Sequence, residues 1–184
     1  MRNALVVFLL ALAALVVALA TYDATQVGPR LAEVERILAG GDPQDVHPPV
    51  QVARLVDAQL PRLRATVGSQ VQAAIEPASG SRSIMRRVAW PYLLSLHLDR
   101  VRLQGLHATL AWNGRDRGLN RFALRAFGKP LDQLTPVQAA TVVAYTHAPA
   151  VYARHPDWLR VRAQRLLERA GPMEDVELNT ASAH

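Results

Sequence analysis

In the last third of the chain, the hydrophobic residues follow the spacing of three successive helices. Over 118–127 they recur every three or four residues, which gives a helix one apolar face. The stretch 136–145 is almost wholly apolar, and Thr135 before it, with proline next and Gln138 three residues later, is a helix-start signal. A third helix is predicted over 156–170. We expect the middle helix to be the most buried element.

The preceding part of the chain predicts longer helices interrupted by proline. One begins near Val50, and Pro61 should kink or split it. Another is predicted over 83–110, with Pro91 in its early part. No stretch alternates between apolar and polar residues with a period of two, so the sequence predicts an all-α fold without a substantial sheet.

The N-terminal residues form an unbroken apolar run from Ala4 to Ala20, preceded by Arg2. Seventeen residues lie at the short end for a membrane-spanning helix and beyond the usual hydrophobic core of a signal peptide. We predict an uncleaved signal anchor that crosses the inner membrane once and leaves Arg2 inside and the body in the periplasm. The alternative is a signal peptide cleaved after Ala20, which would release the body into the periplasm.

These patterns divide the chain into four predicted segments. They are a signal anchor over 1–22, a stalk and linker over 23–48, a helical domain over 49–171 and a disordered tail over 172–184.

The composition narrows the range of partners. The formal net charge is +6, and apart from Lys129 every cationic side chain is arginine. This usage is typical of a GC-rich genome, or else it marks a basic surface for an anionic partner such as phospholipid or a lipid pyrophosphate. Export argues against nucleic acid. The chain has no cysteine, and its histidines lack metal-binding spacing, so we expect no metal and no cofactor.

Four short groups of residues occur in a particular order in the C-terminal part. They are Gly118, Ala123 and Phe127-Gly128-Lys129; Leu134-Thr135 and Gln138-Ala139-Ala140; Pro149 and Tyr152; and Arg162, Leu166-Leu167 and Ala170. In order and spacing this stretch, 118–170, resembles the C-terminal half of the family 51 glycosyltransferases, the membrane-bound peptidoglycan glycosyltransferases. The resemblance implies a reduced form of that family's lysozyme-like helical domain.

The resemblance also indicates candidate site residues. A family 51 enzyme needs a carboxylate to deprotonate the acceptor sugar and cations to hold the lipid diphosphate leaving group. The family's catalytic glutamate motifs are not found here. Glu76 is the candidate base because it precedes a Ser-Gly loop similar to one in the family. Arg86 and Arg87 resemble the remains of a binding motif, and Arg162 matches the arginine of the last motif, although each also reads as a surface arginine.

We therefore expect a non-catalytic relative that binds peptidoglycan precursor, glycan or a cell-wall synthesis partner. One alternative is an active peptidoglycan glycosyltransferase that uses Glu76, so the enzyme question stays open. The other is a structural subunit of an envelope assembly. The tryptophans Trp90, Trp112 and Trp158 are interpreted as core or membrane-interface residues, with a glycan groove as the alternative.

Overall fold

The computed structural model describes residues 2–60, 63–75 and 84–172, with the backbone alone for residues 2 and 84–87. Its helices are α1 Arg2–Tyr22, α2 Leu31–Ala39, α3 Pro43–Val46, α4 Val50–Gln59, α5 Leu63–Ile75, α6 Ile84–Leu96, α7 Arg100–Leu110, α8 Leu119–Phe127, α9 Pro136–Tyr145, α10 Pro149–Tyr152 and α11 Pro156–Ala170. In these described ranges there is no strand, only an isolated bridge between Trp112 and Arg117. The all-α prediction is confirmed.

The N-terminal helix belongs to a long helical run from Asn3 to Ala39. An 18-residue window of this run has a mean hydropathy of 2.9, and none of that window is buried against the rest of the protein. Among the described residues it is the one helix long and apolar enough to cross a membrane. The expected N-terminal signal anchor or membrane span agrees with this finding.

The segment between α1 and α3, expected as stalk and linker, packs against the body. A π-helical turn, Asp23–Val27, and a 3-10 turn, Gly28–Arg30, connect α1 to α2. Val27 and Val34 are fully buried in the same core as the later helices. The sequence shows only a weak helical pattern here, and the contacts that bury these valines come from distant parts of the chain.

The two long predicted helices are both divided. The first ends at Gln59 and resumes as α5 at Leu63, which confirms a split near Pro61. The prediction of a single helix over 83–110 is wrong, because α6 ends at Leu96 and α7 starts at Arg100. Asp99 causes the second start, since its side chain accepts a 2.8 Å hydrogen bond from the N–H of Arg102.

Pro91 lies inside α6 without ending it. Instead it marks the place where α5 and α6 come closest. A Cβ built on Gly68 of α5 would lie 2.4 Å from the carbonyl oxygen of Pro91. A glycine at this position therefore allows the two helix backbones to approach each other.

The three C-terminal helices follow their predicted bounds. The side chain of Thr135 accepts a 3.3 Å hydrogen bond from the N–H of Gln138, whose side chain accepts one of 3.0 Å from the N–H of Thr135. This reciprocal capping box starts α9. The helix packs against α4, α8 and α11 and buries five side chains, Ala139, Ala140, Val142, Val143 and Ala144. The prediction that α9 is the most buried element is wrong, because α7 buries seven of its eleven residues and α9 five of its ten.

A buried polar cluster joins α3 to the start of α8. Asp45 accepts a 2.8 Å hydrogen bond from the N–H of Asn120, and the side-chain amide of Asn120 donates one of 2.9 Å to Asp42. The side-chain oxygen of Asn120 accepts a third, of 3.1 Å, from the N–H of Leu131. The free N–H groups of the first helical turn of α8 therefore find a carboxylate from a distant segment.

Candidate functional site

One face of α11 carries a row of basic and aromatic side chains. Trp158, Arg162, Arg165 and Arg169 follow one another at intervals of three or four residues, and Val161 comes three residues after Trp158, so all five lie on the same side of the helix. The adjoining side buries Ala163 and Leu166, because α11 packs there against α9 and α4. The packing of the apolar side thus fixes which way the arginines point.

This row forms one wall of a cavity of about 800 Å³, here called the α10–α11 pocket. The other wall comes from α10 and the turn before it. The pocket is lined by His147, Ala148, Val151, Tyr152, Trp158, Val161, Arg162, Arg165, Glu168 and Arg169. Three arginines face one carboxylate, that of Glu168, so the lining is cationic. Its volume is in the range of sites that hold small ligands.

Arg162 affects both the hydrogen-bonding capacity of this pocket and the pKa of His147. Its Nε atom is buried and has no hydrogen-bond partner among the residues that the structure describes. Burial, together with the positive charge of Arg162, holds the pKa of His147 below its usual range. The lowered pKa favours the neutral form of His147, and the Nε–H group of Arg162 can donate to an anionic ligand.

Aromatic rings complete the pocket. The ring of Trp158 stacks on that of His155 with centroids 4.5 Å apart, and Trp158 is still 60% exposed. Tyr152 is buried and packs at 6.4 Å from Tyr145, which stacks in turn on Phe122. One wall therefore presents a fixed, accessible aromatic face, and such a face suits the apolar side of a sugar ring or a lipid chain.

A second cavity, of about 640 Å³, lies where α4, α5, α6 and α7 meet. Its charged groups are already paired. Asp57 binds Arg100 at 2.8 Å and Gln104 at 2.7 Å, and Arg64 donates to the carbonyl oxygen of Ser95. Because these contacts satisfy its polar groups, this cavity is the weaker candidate for a charged ligand.

Two other buried ionisable groups have shifted pKa values but line neither of these cavities. Burial raises the pKa of Asp45 to about 7, against the opposing effect of its hydrogen bond from Asn120. Burial lowers the pKa of His107 to about 4, and its Nδ1 lies 3.1 Å from the side-chain oxygen of Gln70. Such shifts are common at catalytic sites, but here both groups are enclosed by the core and serve packing.

The predicted site residues are not brought together in one described place. Arg162 lines the α10–α11 pocket. Arg86 and Arg87 lie on α6, and their side chains are outside the described part of the structure. Glu76 falls in the gap 76–83, also outside the described residues. The main packing partners of α6 are α5 and the turn Asp23–Val27, whereas α11 packs on α9 and α4.

Sequence reasoning missed most of the pocket. The sequence indicated Arg162 as a candidate, but it did not assign Arg165, Arg169 or His147 to a site. Their spacing relative to Trp158 and Arg162 was the available signal, since it puts them on one side of a helix. The tryptophans are expected to be core or membrane-interface residues. Trp90, which is 4% exposed, is a core residue, whereas Trp112 and Trp158 are more than half exposed and lie outside the core.

Comparisons with known proteins add no relative. No protein-family model, no curated protein and no solved structure matches the chain. Among the described residues, no group of three or more histidine, aspartate or glutamate side chains could hold a metal ion. The resemblance to the family 51 glycosyltransferases therefore stays a prediction made from the motifs of residues 118–170.

Proposed function

We propose that this protein is a membrane-anchored, non-catalytic member of the bacterial cell envelope that binds a lipid-linked peptidoglycan precursor. Its body would lie in the periplasm and its apolar N-terminal helix in the inner membrane. The observation that carries the proposal is the buried Nε of Arg162, which has no partner among the described residues, in a pocket lined by two further arginines and exposed Trp158.

The chemistry of the pocket fits such a precursor in two respects. A diphosphate offers several anionic oxygens, and planar guanidinium groups bind such oxygens in pairs. The attached sugars and lipid offer apolar surface to an aromatic ring. The resemblance over 118–170 supports the same ligand, since Arg162 matches an arginine of that family's last motif.

We propose that the protein is not catalytic because the described lining of the pocket offers a single carboxylate. Glu168 is the only carboxylate in the described lining, and its side chain accepts a 3.4 Å hydrogen bond from Gln164 one turn earlier. The candidate base Glu76 is kept as the alternative, in which the protein is an active peptidoglycan glycosyltransferase.

The test measures binding and turnover of lipid-linked disaccharide pentapeptide by the detergent-solubilised full-length protein. We expect binding without turnover, and Arg162→Gln should weaken binding about tenfold or more by removing a charge-assisted contact. Arg160→Gln is the matched control, because Arg160 lies on the same helix, pairs with Asp157 and lines no part of this pocket. It should change the Kd less than about twofold.

Three other results would contradict the proposal in different ways. Turnover that disappears in Glu76→Gln would show an enzyme. Equal effects of the Arg162 and Arg160 variants would show binding elsewhere. No binding at all would leave the structural-subunit alternative, for which exposed Val137, Trp158 and Val161 offer an apolar contact surface.

A further inference from the structure

We propose that the exposed face of α6 is a second membrane-contacting surface, which lies in the lipid interface beside α1. This face, here called the α6 stripe, consists of Val88, Tyr92 and Leu96. The proposal rests on the membrane anchor of the proposed function, and it assigns to the folded body a contact with lipid that the anchor alone does not require.

The α6 stripe is apolar and unusually accessible. Its residues follow one another at intervals of four, so they form one face of the helix, and their side chains are 56%, 53% and 72% exposed. The opposite face of α6 carries the buried Trp90 and Leu94. The core covers one apolar face of such a helix, and the other apolar face needs a second apolar environment.

The α6 stripe is continuous with the apolar surface of α1. Leu93 and Leu96 line a cavity of about 410 Å³ together with Val16, Leu19 and Ala20 of the N-terminal helix. This cavity therefore has apolar walls from both helices. If α1 is in the bilayer, lipid chains that surround Val16 and Leu19 also reach the side of α6.

Polar contacts at the end of α1 hold α6 in this position. The indole N–H of Trp90 donates a 3.2 Å hydrogen bond to the carbonyl oxygen of Gln26. The Nε2 atom of His97 lies 2.9 Å from Oδ1 of Asp23. These contacts join α6 and the residue directly after it, His97, to the turn that follows α1, so the depth of α1 in the membrane also sets the depth of the α6 stripe.

The length of the apolar run places this part of α1 inside the hydrocarbon. Seventeen residues from Ala4 to Ala20 extend about 26 Å at ~1.5 Å per residue, less than the ~30 Å of a typical bilayer core. Because the run is shorter than the hydrocarbon core, all of it has to lie inside the membrane. Val16 and Leu19 therefore lie below the headgroups. Leu93 and Leu96 beside them reach the same level, as interfacial helices do at depths of about 5–10 Å.

The surroundings of the α6 stripe suit lipid headgroups. Tyr92 is an aromatic residue with a polar tip, the type found where membrane meets water. Next to it, Arg100 is paired with Asp57, whereas Arg64 donates to the neutral carbonyl oxygen of Ser95 and keeps its positive charge. A positive charge at this height favours anionic phospholipids.

The test uses single cysteine variants of the full-length protein, because the chain has no cysteine of its own. Val88→Cys and Leu96→Cys report on the α6 stripe. Val7→Cys reports on α1, and Leu124→Cys, which is exposed on α8, is the matched control away from α6. Each variant carries an environment-sensitive fluorophore and is reconstituted in phosphatidylethanolamine–phosphatidylglycerol vesicles with acyl chains that bear a spin-label quencher.

We expect at least twofold quenching at positions 7, 88 and 96 and little at position 124. Quenching at 7 alone, with 88 and 96 resembling 124, would overturn the proposal while leaving the anchor intact. No quenching at 7 would overturn the anchor and this inference together. Precursor binding, measured on the same labelled variants, depends on the α10–α11 pocket and therefore succeeds or fails separately from the quenching result.

Discussion

At Gly118 the chain turns into α8 with a φ of 110°, a conformation that side chains other than glycine rarely adopt. A Cβ at this position would also lie 2.6 Å from Oδ2 of Asp45. The glycine thus lets a carboxylate from α3 come directly to the first turn of α8. A helix start that depends on a residue so distant in the chain is sensitive to one methyl group.

Gly118→Ala should therefore lower the free energy of unfolding by about 2–4 kcal/mol, from backbone strain and the displacement of Asp45. The matched control is Gly128→Ala, where φ is 66° and nothing lies within 4 Å of a built Cβ. That substitution carries strain alone, and a loss of about 1 kcal/mol is expected. Urea denaturation of both variants checks the difference, and equal losses would contradict the account.

The buried Asp45 and His107 predict opposing effects of pH on stability. Because the pKa of Asp45 rises from 3.8 to about 7 on folding, the folded state retains a proton that the unfolded state has lost. Stability from this group is therefore present at low pH and is lost as the pH rises to about 7. The pKa of His107 falls from 6.5 to about 4, so its contribution is present above pH 6.5 and is lost as the pH falls to about 4.

Single variants separate these two effects. In Asp45→Asn the stability between pH 4.5 and 6.5 should rise with pH, because the histidine effect then acts alone. In His107→Gln it should fall over the same range, because the aspartate effect acts alone. Urea midpoints at several pH values measure both slopes. The same slope in both variants would show that other groups dominate.

At the scale of the helices, the start of α9 can be tested most directly. Thr135→Ala removes one half of the capping box and should lower the free energy of unfolding by about 1 kcal/mol. Thr141→Ala is the control, since its hydroxyl only donates back to the carbonyl oxygen of Val137 within the helix. That change should be neutral or slightly stabilising. A loss as large as that of Thr135→Ala would argue against the cap.

Helices with local start and stop signals could be predicted from the sequence. The threonine cap of α9 and the glycine after α8 are such signals, and the structure begins and ends those helices where they indicate. The sequence did not indicate the break between α6 and α7, because the apolar positions recur with helical spacing on both sides of Leu98-Asp99. The packing of 23–48 was missed for a different reason, since Val27 and Val34 are buried by residues far along the chain.

The candidate site was predictable to the extent that one helix forms it. Helical spacing alone places Trp158, Arg162 and Arg169 on one face. The second wall depends on the short helix α10 and on the turn of His147 and Ala148 before it. Whether Arg162 would be left with a buried, unpaired Nε depends on side chains from both walls, and no periodicity within α11 contains that information.

At the scale of the whole molecule, the free energy of unfolding of the body should not depend on α1. A chain that begins at Thr21 should keep the helices of the body, α2 to α11, and unfold within about 1 kcal/mol of the full-length protein, because the apolar window of α1 has no buried residue. Val34→Ala is the comparison, since removing part of a fully buried core side chain should cost about 2 kcal/mol. Circular dichroism and denaturation in mild detergent measure both, and loss of cooperative unfolding in the shortened chain would show that α1 supports the core.

The helical run from Asn3 to Ala39 also links the orientation of the body to that of α1. The run is helical throughout, with π and 3-10 turns over Asp23–Arg30, so if α1 spans the membrane, a rotation of α1 about its own axis also turns the body around the membrane normal. The rotation of α1 would then also set the direction in which the α10–α11 pocket opens along the membrane plane. Under the proposed function, a membrane protein that contacts α1 would set this direction, and a lipid-linked ligand would reach the pocket from one side only.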